Sequence, residues 1–513
     1  MGSRGSKEVK DKPVVLIVGG GYGGVAIAKM LDKDAAFNVV IIDRKNYFLH
    51  NMALLRATCV EGWEQKCIIP YTKVLKYGSV VQGEVEAIAK DGKSIKVYGS
   101  SFILSFKGRE EKEIQCDYMV VCTGSSYAFP AKVAEVDATS VPAKYSKMRQ
   151  DVNAAENITV IGGGAVGLEL VGELSHYYSK KSITLIHTGE TVLNNTALGD
   201  KMKAKTLAAV QALPNVKSCN HKVMLGERVE FSELQSEIKE SSVSYVEGKR
   251  ELTTSKGNKV GTDLVFFCTG TKTNTKSFKD NLPVDEEGRI KVNEHLQIEG
   301  CKTAFALGDC AAIGPKSVYD NDGSGFFIRV AIHIILNCIN AATADLSISL
   351  PLKALEKKKG MSAYKKGPTM MVLPLGPNGG NSQLPMGIVV GNFLTRTIKS
   401  GDLFSSNTWG ELNQDIANPQ LKKGGLNRRN SLQSLEVHGA LKIDEEKAKK
   451  ILEEGSGKEK KKNKHKTHKR AESASQLPIK SYAVIMSSYY TYDFMQYDSG
   501  GARPSADLRM IFG

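Results

Sequence analysis

At 513 residues the chain is too long for a single hydrophobic core and suits two or three domains. Hydrophobic residues make up 41% and charged residues 24%, which excludes wholesale disorder and a fibrous chain. The net charge of +15 is uneven, residues 421–513 holding 19 Lys and Arg against 11 Asp and Glu, so contact with anionic membrane or nucleic acid is permitted while the chemistry is left undecided.

The chain opens Met1-Gly2-Ser-Arg-Gly-Ser6, which fits the acceptor pattern for N-myristoylation at Gly2 or is simply a flexible leader. One myristoyl chain holds a membrane only marginally, and Lys7, Lys10 and Lys12 would add the second signal. The first apolar strand starts at Val14, which leaves no room for the apolar core of a secretory signal.

Residues 14–18, Val-Val-Leu-Ile-Val, read as a strand buried on both faces of a parallel sheet. Gly19, Gly21 and Gly24 then form G-x-G-x-x-G, and a helix follows. Such a loop turns tightly and lets a diphosphate approach the backbone, seating it on the helix N-terminus where free N–H groups favour anions. A second strand, residues 39–42, ends in Asp43, at the place where a carboxylate accepts hydrogen bonds from an adenosine ribose. A glycine-rich turn that binds nothing is the alternative.

The same unit recurs 143 residues later, with a strand at residues 158–161, the loop Gly162, Gly164 and Gly167, a helix, and a second strand at 183–186. His187 stands where the first unit has Asp43, and Lys180 and Lys181 lie just upstream, so nothing acidic repels a 2′-phosphate and NADPH is expected to be accepted beside NADH. Each unit ends in a matching strand, Tyr118-Met-Val-Val-Cys122-Thr123-Gly124 and Leu264-Val-Phe-Phe-Cys268-Thr-Gly270. Further on, Asp309 closes another short apolar strand, where the chain would have returned to the first unit.

Hydride transfer between a nicotinamide and a flavin needs two stacked rings more than a side-chain acid or base. No catalytic triad is expected. The nine cysteines show no C-x-x-C spacing, so a disulfide reductase is disfavoured and Cys122 and Cys268 read as buried thiols rather than nucleophiles. The best apolar run, residues 326–344, is broken by Arg329, His333 and Asn337, so no transmembrane helix is expected. Two apolar strands at 369–375 and 387–394, joined by a Gly/Pro/Asn-rich turn and followed by residues 404–409, suggest a small third domain whose exposed aromatics meet lipid.

These motifs in this order resemble the pyridine-nucleotide-dependent flavoprotein reductases, the superfamily of type II NADH dehydrogenases and apoptosis-inducing factors. The stretches His50-Asn51, Ala53-Leu54-Leu55-Arg56, Thr184-Leu-Ile-His187, Val292-Asn-Glu-His-Leu-Gln297 and Lys399-Ser-Gly-Asp-Leu-Phe404 with Trp409 are similar to its ferroptosis-suppressor, or mitochondria-associated apoptosis-inducing factor 2, type. The resemblance implies non-covalent FAD, NADH or NADPH as donor, and a membrane quinone of ubiquinone or vitamin K type as acceptor, in an antioxidant role; the alternatives are a soluble NAD(P)H reductase of another acceptor and a redox-sensing, nucleic-acid-binding flavoprotein like an apoptosis-inducing factor. It implies FAD or nucleotide contacts from Tyr22, Arg44, Asn51, Arg56, Val85, Cys122, Thr123, Gly124 and Gly270. Asn51 and Arg56 have a plainer reading as a helix cap and a surface charge. It also places Glu169 near the nicotinamide and flavin, where the alternative is an acid that complements the helix dipole. Lys316 faces the flavin or quinone edge, or is a solvated loop charge.

The expected fold is α/β: two Rossmann-like modules, an FAD domain split between residues 13–150 and 275–350 around an NAD(P) domain at 151–274, preceded by a leader at 1–12. A small α+β domain at 351–418 and a basic, largely disordered tail at 419–513 complete it. The tail's run at 458–470 is the usual solvated charge run, with nucleic acid a weak possibility as partner. A monomer and a homodimer both fit the sequence. The expected location is the cytosol and the cytoplasmic face of the plasma membrane, a lipid droplet or the outer mitochondrial surface.

Overall fold

The computed structural model describes residues 12–416 apart from 34, 89–93, 100–109, 195–197, 218–222, 231–244, 314–362 and 365–368. Gly2, Lys316 and the tail beyond 416 therefore lie outside the described residues.

The strand β1 (Val14–Val18) is buried along its whole length and runs through the first glycine loop into α1 (Tyr22–Asp32), after which β2 (Asn38–Asp43) returns beside it. Next come β3 (Ser79–Gln82), β4 (Tyr118–Val121) and α2 (Val141–Ala154). The second unit follows the same plan with β5 (Asn157–Ile161), α3 (Ala165–Tyr177), β6 (Ser182–His187), β7 (Val223–Leu225), β8 (Tyr245–Thr253) and β9 (Lys259–Phe267). Then β10 (Ala304–Ala306) precedes a third lobe of β11 (Met371–Pro374), β12 (Gly380–Gln383) and β13 (Val389–Val390). That lobe ends in α4 (Asn392–Thr395), a π-helical turn at Arg396–Ser400, and α5 (Ser405–Glu411). All of these belong to one compact unit, Met1–Asp444.

Five parallel strands make the first sheet, in the order β10, β4, β1, β2, β3, so its outermost strand arrives only after the whole second unit has been laid down. Alternate residues of β1 feed two cores: Val15 and Ile17 pack with Ile27 and Leu31 of α1, and Leu16 and Val18 pack on the opposite face. An uninterrupted apolar strand is what burial on both faces requires. The second sheet runs β7, β6, β5, β9, β8, with only the β8–β9 pair antiparallel. Val160, Leu185 and Leu264 face α3, while Ile161, Ile186 and Val265 are covered by residues of the β8–β9 hairpin such as Leu252 and Val260. Each such buried aliphatic side chain contributes about 1.5–3 kcal/mol relative to an exposed one.

Three expectations are corrected. The segment between the two anticipated strands of the third lobe is no turn: β12 is its central strand, pairing antiparallel with β11 and β13, and residues 392–395 are helical. Trp409 is not exposed but buried, its Nε1 donating to the Lys66 carbonyl at 2.8 Å. Lys180 and Lys181 precede β6 and so lie at the end of the strand remote from the glycine loop, about 20 Å from His187 at roughly 3.3 Å per residue; Lys181 Nζ is spent on the Asn153 and Ala155 carbonyls.

Candidate functional site

The two glycine loops are built alike to the level of single contacts. Gly19 (φ +104°) and Gly162 (φ +120°) occupy backbone space that L side chains rarely adopt, and a Cβ on either would lie 2.4 or 2.2 Å from the carbonyl oxygen of Cys122 or Cys268. A Cβ at Gly24 or Gly167 would fall 1.8 or 1.9 Å from the Gly19 or Gly162 oxygen, so strand and helix can pack this closely only without side chains. Gly21 and Gly164 differ from these: a Cβ there would meet nothing within 4 Å. Each caps its helix, α1 or α3, with no side chain bonded to the free N–H groups. That open space before a bare helix N-terminus is where an anionic diphosphate fits.

At the end of β2, Asp43 accepts hydrogen bonds from the backbone N–H of Gly20 (2.6 Å) and of Lys45 (2.7 Å). Burial raises its pKa, and those two N–H groups oppose the rise. Arg44 is exposed beyond the strand, and Val85 sits in the apolar cluster beneath the sheet. Asn51 Oδ1 is buried without a hydrogen-bond partner among the described residues. Thr123 and Gly124 turn at the end of β4, directly beside Gly19.

The residues after that turn, Ser125–Ser126, pair antiparallel with Lys272–Thr273, which follow the equivalent turn at Gly270. A two-stranded ribbon thus ties the two sheet ends together. Ser125 Oγ donates to Asp309 Oδ2 at 2.5 Å, and Lys132 Nζ bonds the Ser125 carbonyl (2.7 Å) and hydroxyl (2.9 Å) while lying 3.9 Å from Asp309. Asp309 is therefore held by a serine and a lysine that motif reading does not pick out. The signal for Ser125 was available, since it follows Thr123-Gly124 directly; Lys132 had none.

In the second unit, the His187 ring lies against the glycine loop, a Cβ at Gly163 meeting it at 2.7 Å. Its Nε2 is buried with no partner among the described residues, and burial lowers its pKa.

A buried ionic network joins the three lobes. Arg56 is 1% exposed, and its guanidinium grips Glu173 of α3 through Nε (3.0 Å) and a second nitrogen (2.8 Å). Its remaining donors reach the Ser400 and Gly401 carbonyls at 2.7 and 2.9 Å. Arg56 is thus no surface charge: Nε and both terminal nitrogens donate to protein acceptors. One turn earlier on α3, Glu169 pairs with Lys399 at 3.1 Å, both largely buried. Burial raises the Glu169 carboxyl and the Lys399 ammonium opposes it. Glu169 therefore has a partner of its own and is more than a complement to the helix dipole. The π-helical turn carries Lys399 inward. Beside the network, Tyr22 O–H donates to His50 Nδ1 and His50 Nε2–H to the Leu403 carbonyl, each at 2.8 Å. Leu403 and Phe404 both have positive φ, 54° and 61°, and the bonds to the 400–403 backbone hold that strained corner in place.

The profile of the pyridine nucleotide-disulphide oxidoreductases matches residues 13–325, spanning both glycine loops and Asp309. The chain belongs to this family. It is 32% identical over 424 residues to Ferroptosis suppressor protein 1 of Homo sapiens, covering 81% of this chain and 99% of that one. Apoptosis-inducing factor homolog B of Dictyostelium discoideum is 29% identical over 415 residues, 79% and 97% of the two chains. Among solved structures, the sulfide:quinone oxidoreductase of Aquifex aeolicus shares the fold with a TM-score of 0.54 at 17% identity, covering 79% of this chain and 93% of that one.

As a pyridine nucleotide-disulphide oxidoreductase the protein uses FAD and NAD(P)H, and its residues fit that pair: two open glycine cradles, and beside them the unpartnered polar atoms of Asn51 and His187. The described cysteines are all free, and burial raises the thiol pKa values of Cys122, Cys268 and Cys310.

Proposed function

We propose that the protein is an NAD(P)H:quinone oxidoreductase of membrane faces, holding FAD in the first module and NAD(P)H in the second. The observation that carries this reading is the buried Glu169–Lys399 pair, set where the nucleotide helix of the second module meets the third lobe. When bound, FAD takes a hydride from NAD(P)H and passes electrons to the acceptor. The protein's own part is to bind, orient and supply protons. Gly21 and Gly164 leave room for the diphosphates, and Asp43, kept ionisable by two N–H donors, receives the ribose hydroxyls. His187 in place of an acid lets NADPH compete with NADH.

With NAD(P)H as donor the hydride brings one hydrogen of the quinol and one further proton is needed, which the Lys399 ammonium beside Glu169, 3.1 Å away, can supply. The protonated thiols favour an acceptor other than a disulfide. The name of the relative from Homo sapiens, and the quinone in the name of the structural neighbour, support a ferroptosis-suppressing quinone reductase. A myristoyl group on Gly2 would hold it to a cytosolic membrane face. The test is anaerobic: purified protein should be yellow, bleach with NADH or NADPH, and regain colour over many turnovers when short-chain ubiquinone is added. Bleaching without recovery would refute the quinone, and protein that never binds flavin would refute the scheme.

A further inference from the structure

The two glycine loops differ at one contact. In the first module Asp43 Oδ2 accepts from the Gly20 N–H. In the second, the His187 ring lies in the equivalent place, a Cβ at Gly163 falling 2.8 Å from its Cδ2, yet the adjoining Nε2 is buried with no partner among the described residues. The other ring nitrogen is engaged. The Asn194 side chain and the Thr191 backbone both hydrogen-bond the ring and both favour its protonated form, as acceptors of an N–H do. Since Nε2 is free, both bonds fall on Nδ1, which therefore keeps its hydrogen and leaves the neutral ring a bare lone pair at Nε2. The Asn194 amide is itself fixed against Gly189, where a Cβ would strike it.

A lone pair and an N–H⁺ at one buried atom suit different nucleotides. We infer that His187, oriented by Asn194, selects the hydride donor by its own protonation: the neutral ring accepts a hydrogen bond from the 2′-hydroxyl of NADH, and the charged ring donates one to the 2′-phosphate of NADPH. Lack of an acid only tolerates the phosphate, whereas a proton on Nε2 adds a charge-assisted bond to it. The charged groups on the elements packed around the ring are Glu190 of the same loop, with its carboxylate over Gly226; Glu227, bonded to Thr254 and Asn258; and Lys256, which donates to the Leu225 carbonyl at 3.3 Å. None of them sets the titration, which burial and the two hydrogen bonds govern, burial foremost and toward the neutral ring. NADH is thus favoured at neutral pH, and NADPH gains as the pH falls. This selection rests on NAD(P)H lying in the second module and is independent of the electron acceptor.

The experiment is a calorimetric titration of the flavin-loaded full chain with NADP⁺ and with NAD⁺, in buffers of different ionisation enthalpy, which counts the protons taken up on binding. Near pH 7 more than about half a proton should enter with each NADP⁺ and none with NAD⁺. From pH 8 to pH 6 the affinity for NADP⁺ should rise relative to that for NAD⁺ by at least about tenfold, the gain of one hydrogen bond acquiring full charge. His187→Gln puts an untitratable amide there and should keep only the small change that the 2′-phosphate itself brings, its second pKa being about 6. Asn194→Leu should move the NADP⁺ titration to lower pH and Asn194→Asp to higher pH, opposite shifts that a mere packing role would not produce; a full complement of bound flavin shows that each variant is folded. A ratio of affinities that stays flat with pH overturns the inference. So does a His187→Gln protein that titrates like the wild type, because the phosphate then belongs to Lys256 or another cation. Failure to bind either nucleotide would overturn the donor assignment and this inference together.

Discussion

Arg56→Met tests the buried network most directly. The substitution fills much of the same volume but leaves the Glu173 carboxylate, 3% exposed, without its cation. Breaking one side of a buried ion pair costs about 3–5 kcal/mol. The Ser400 and Gly401 carbonyls lose their donor as well, at about 1–3 kcal/mol for each that finds no water, and the guanidinium no longer lies 4.8 Å from the Trp63 ring. A destabilisation of at least about 4 kcal/mol is expected, a large part of a typical total of about 5–15 kcal/mol. Urea unfolding of the flavin-loaded protein, followed by both circular dichroism and flavin fluorescence, measures it. Arg56→Met/Glu173→Leu should recover about 3 kcal/mol over the single variant, since the stranded charge is gone. The Lys259–Glu251 pair, 67% and 55% exposed, provides the contrast, and Lys259→Met should leave the urea midpoint nearly unchanged. An Arg56→Met loss below about 1 kcal/mol, or a double variant no better than the single, would refute the argument.

Burial holds the His50 imidazole down at about 4, against about 6.5 in an unfolded chain. Its contribution is therefore complete above about pH 6.5 and is lost as the pH falls toward 4, by about 3 kcal/mol; His50→Gln should flatten that limb of a stability-versus-pH curve. Gly24→Ala should lose several kcal/mol because its Cβ would strike the Gly19 carbonyl, whereas Gly21→Ala should keep its melting temperature and lose flavin affinity, as titration of the apoprotein would show. His187→Asp should lower kcat/KM for NADPH at least about tenfold and leave NADH nearly untouched, because a carboxylate repels the 2′-phosphate. Lys399→Met should slow flavin reoxidation by quinone more than flavin reduction by NADH in stopped-flow traces, with the acid limb of its pH profile moved upward as Glu169 loses its counter-ion.

Both glycine loops were legible because their requirements are local: a strand, a positive φ, a close helix, each written in adjacent residues and written twice. The third lobe was legible only in outline. Its central strand reads Gly-Asn-Ser-Gln, with no apolar alternation, yet it is buried, with two of its polar side chains partnered: Gln383 Oε1 accepts from the Gly199 N–H and Ser382 Oγ bonds Thr395 Oγ1. Hydrophobic periodicity cannot register such a strand. The partners of Arg56 and Glu169 lie 117 and 230 residues away, and no spacing rule reaches so far. Lys180 and Lys181 misled because closeness in sequence to His187 became opposite ends of an extended strand.

The late arrival of β10 matters while the chain is being made. Its partner β4 ends at Val121 and waits for Ala304, roughly 180 residues later, which at ribosomal speeds of 5–20 residues per second is roughly 10–40 s. For that interval the nascent first module presents Tyr118–Val121 as a bare, wholly apolar strand edge, the kind that templates wrong pairings. A truncation between the two strands should therefore be captured by chaperones on the ribosome.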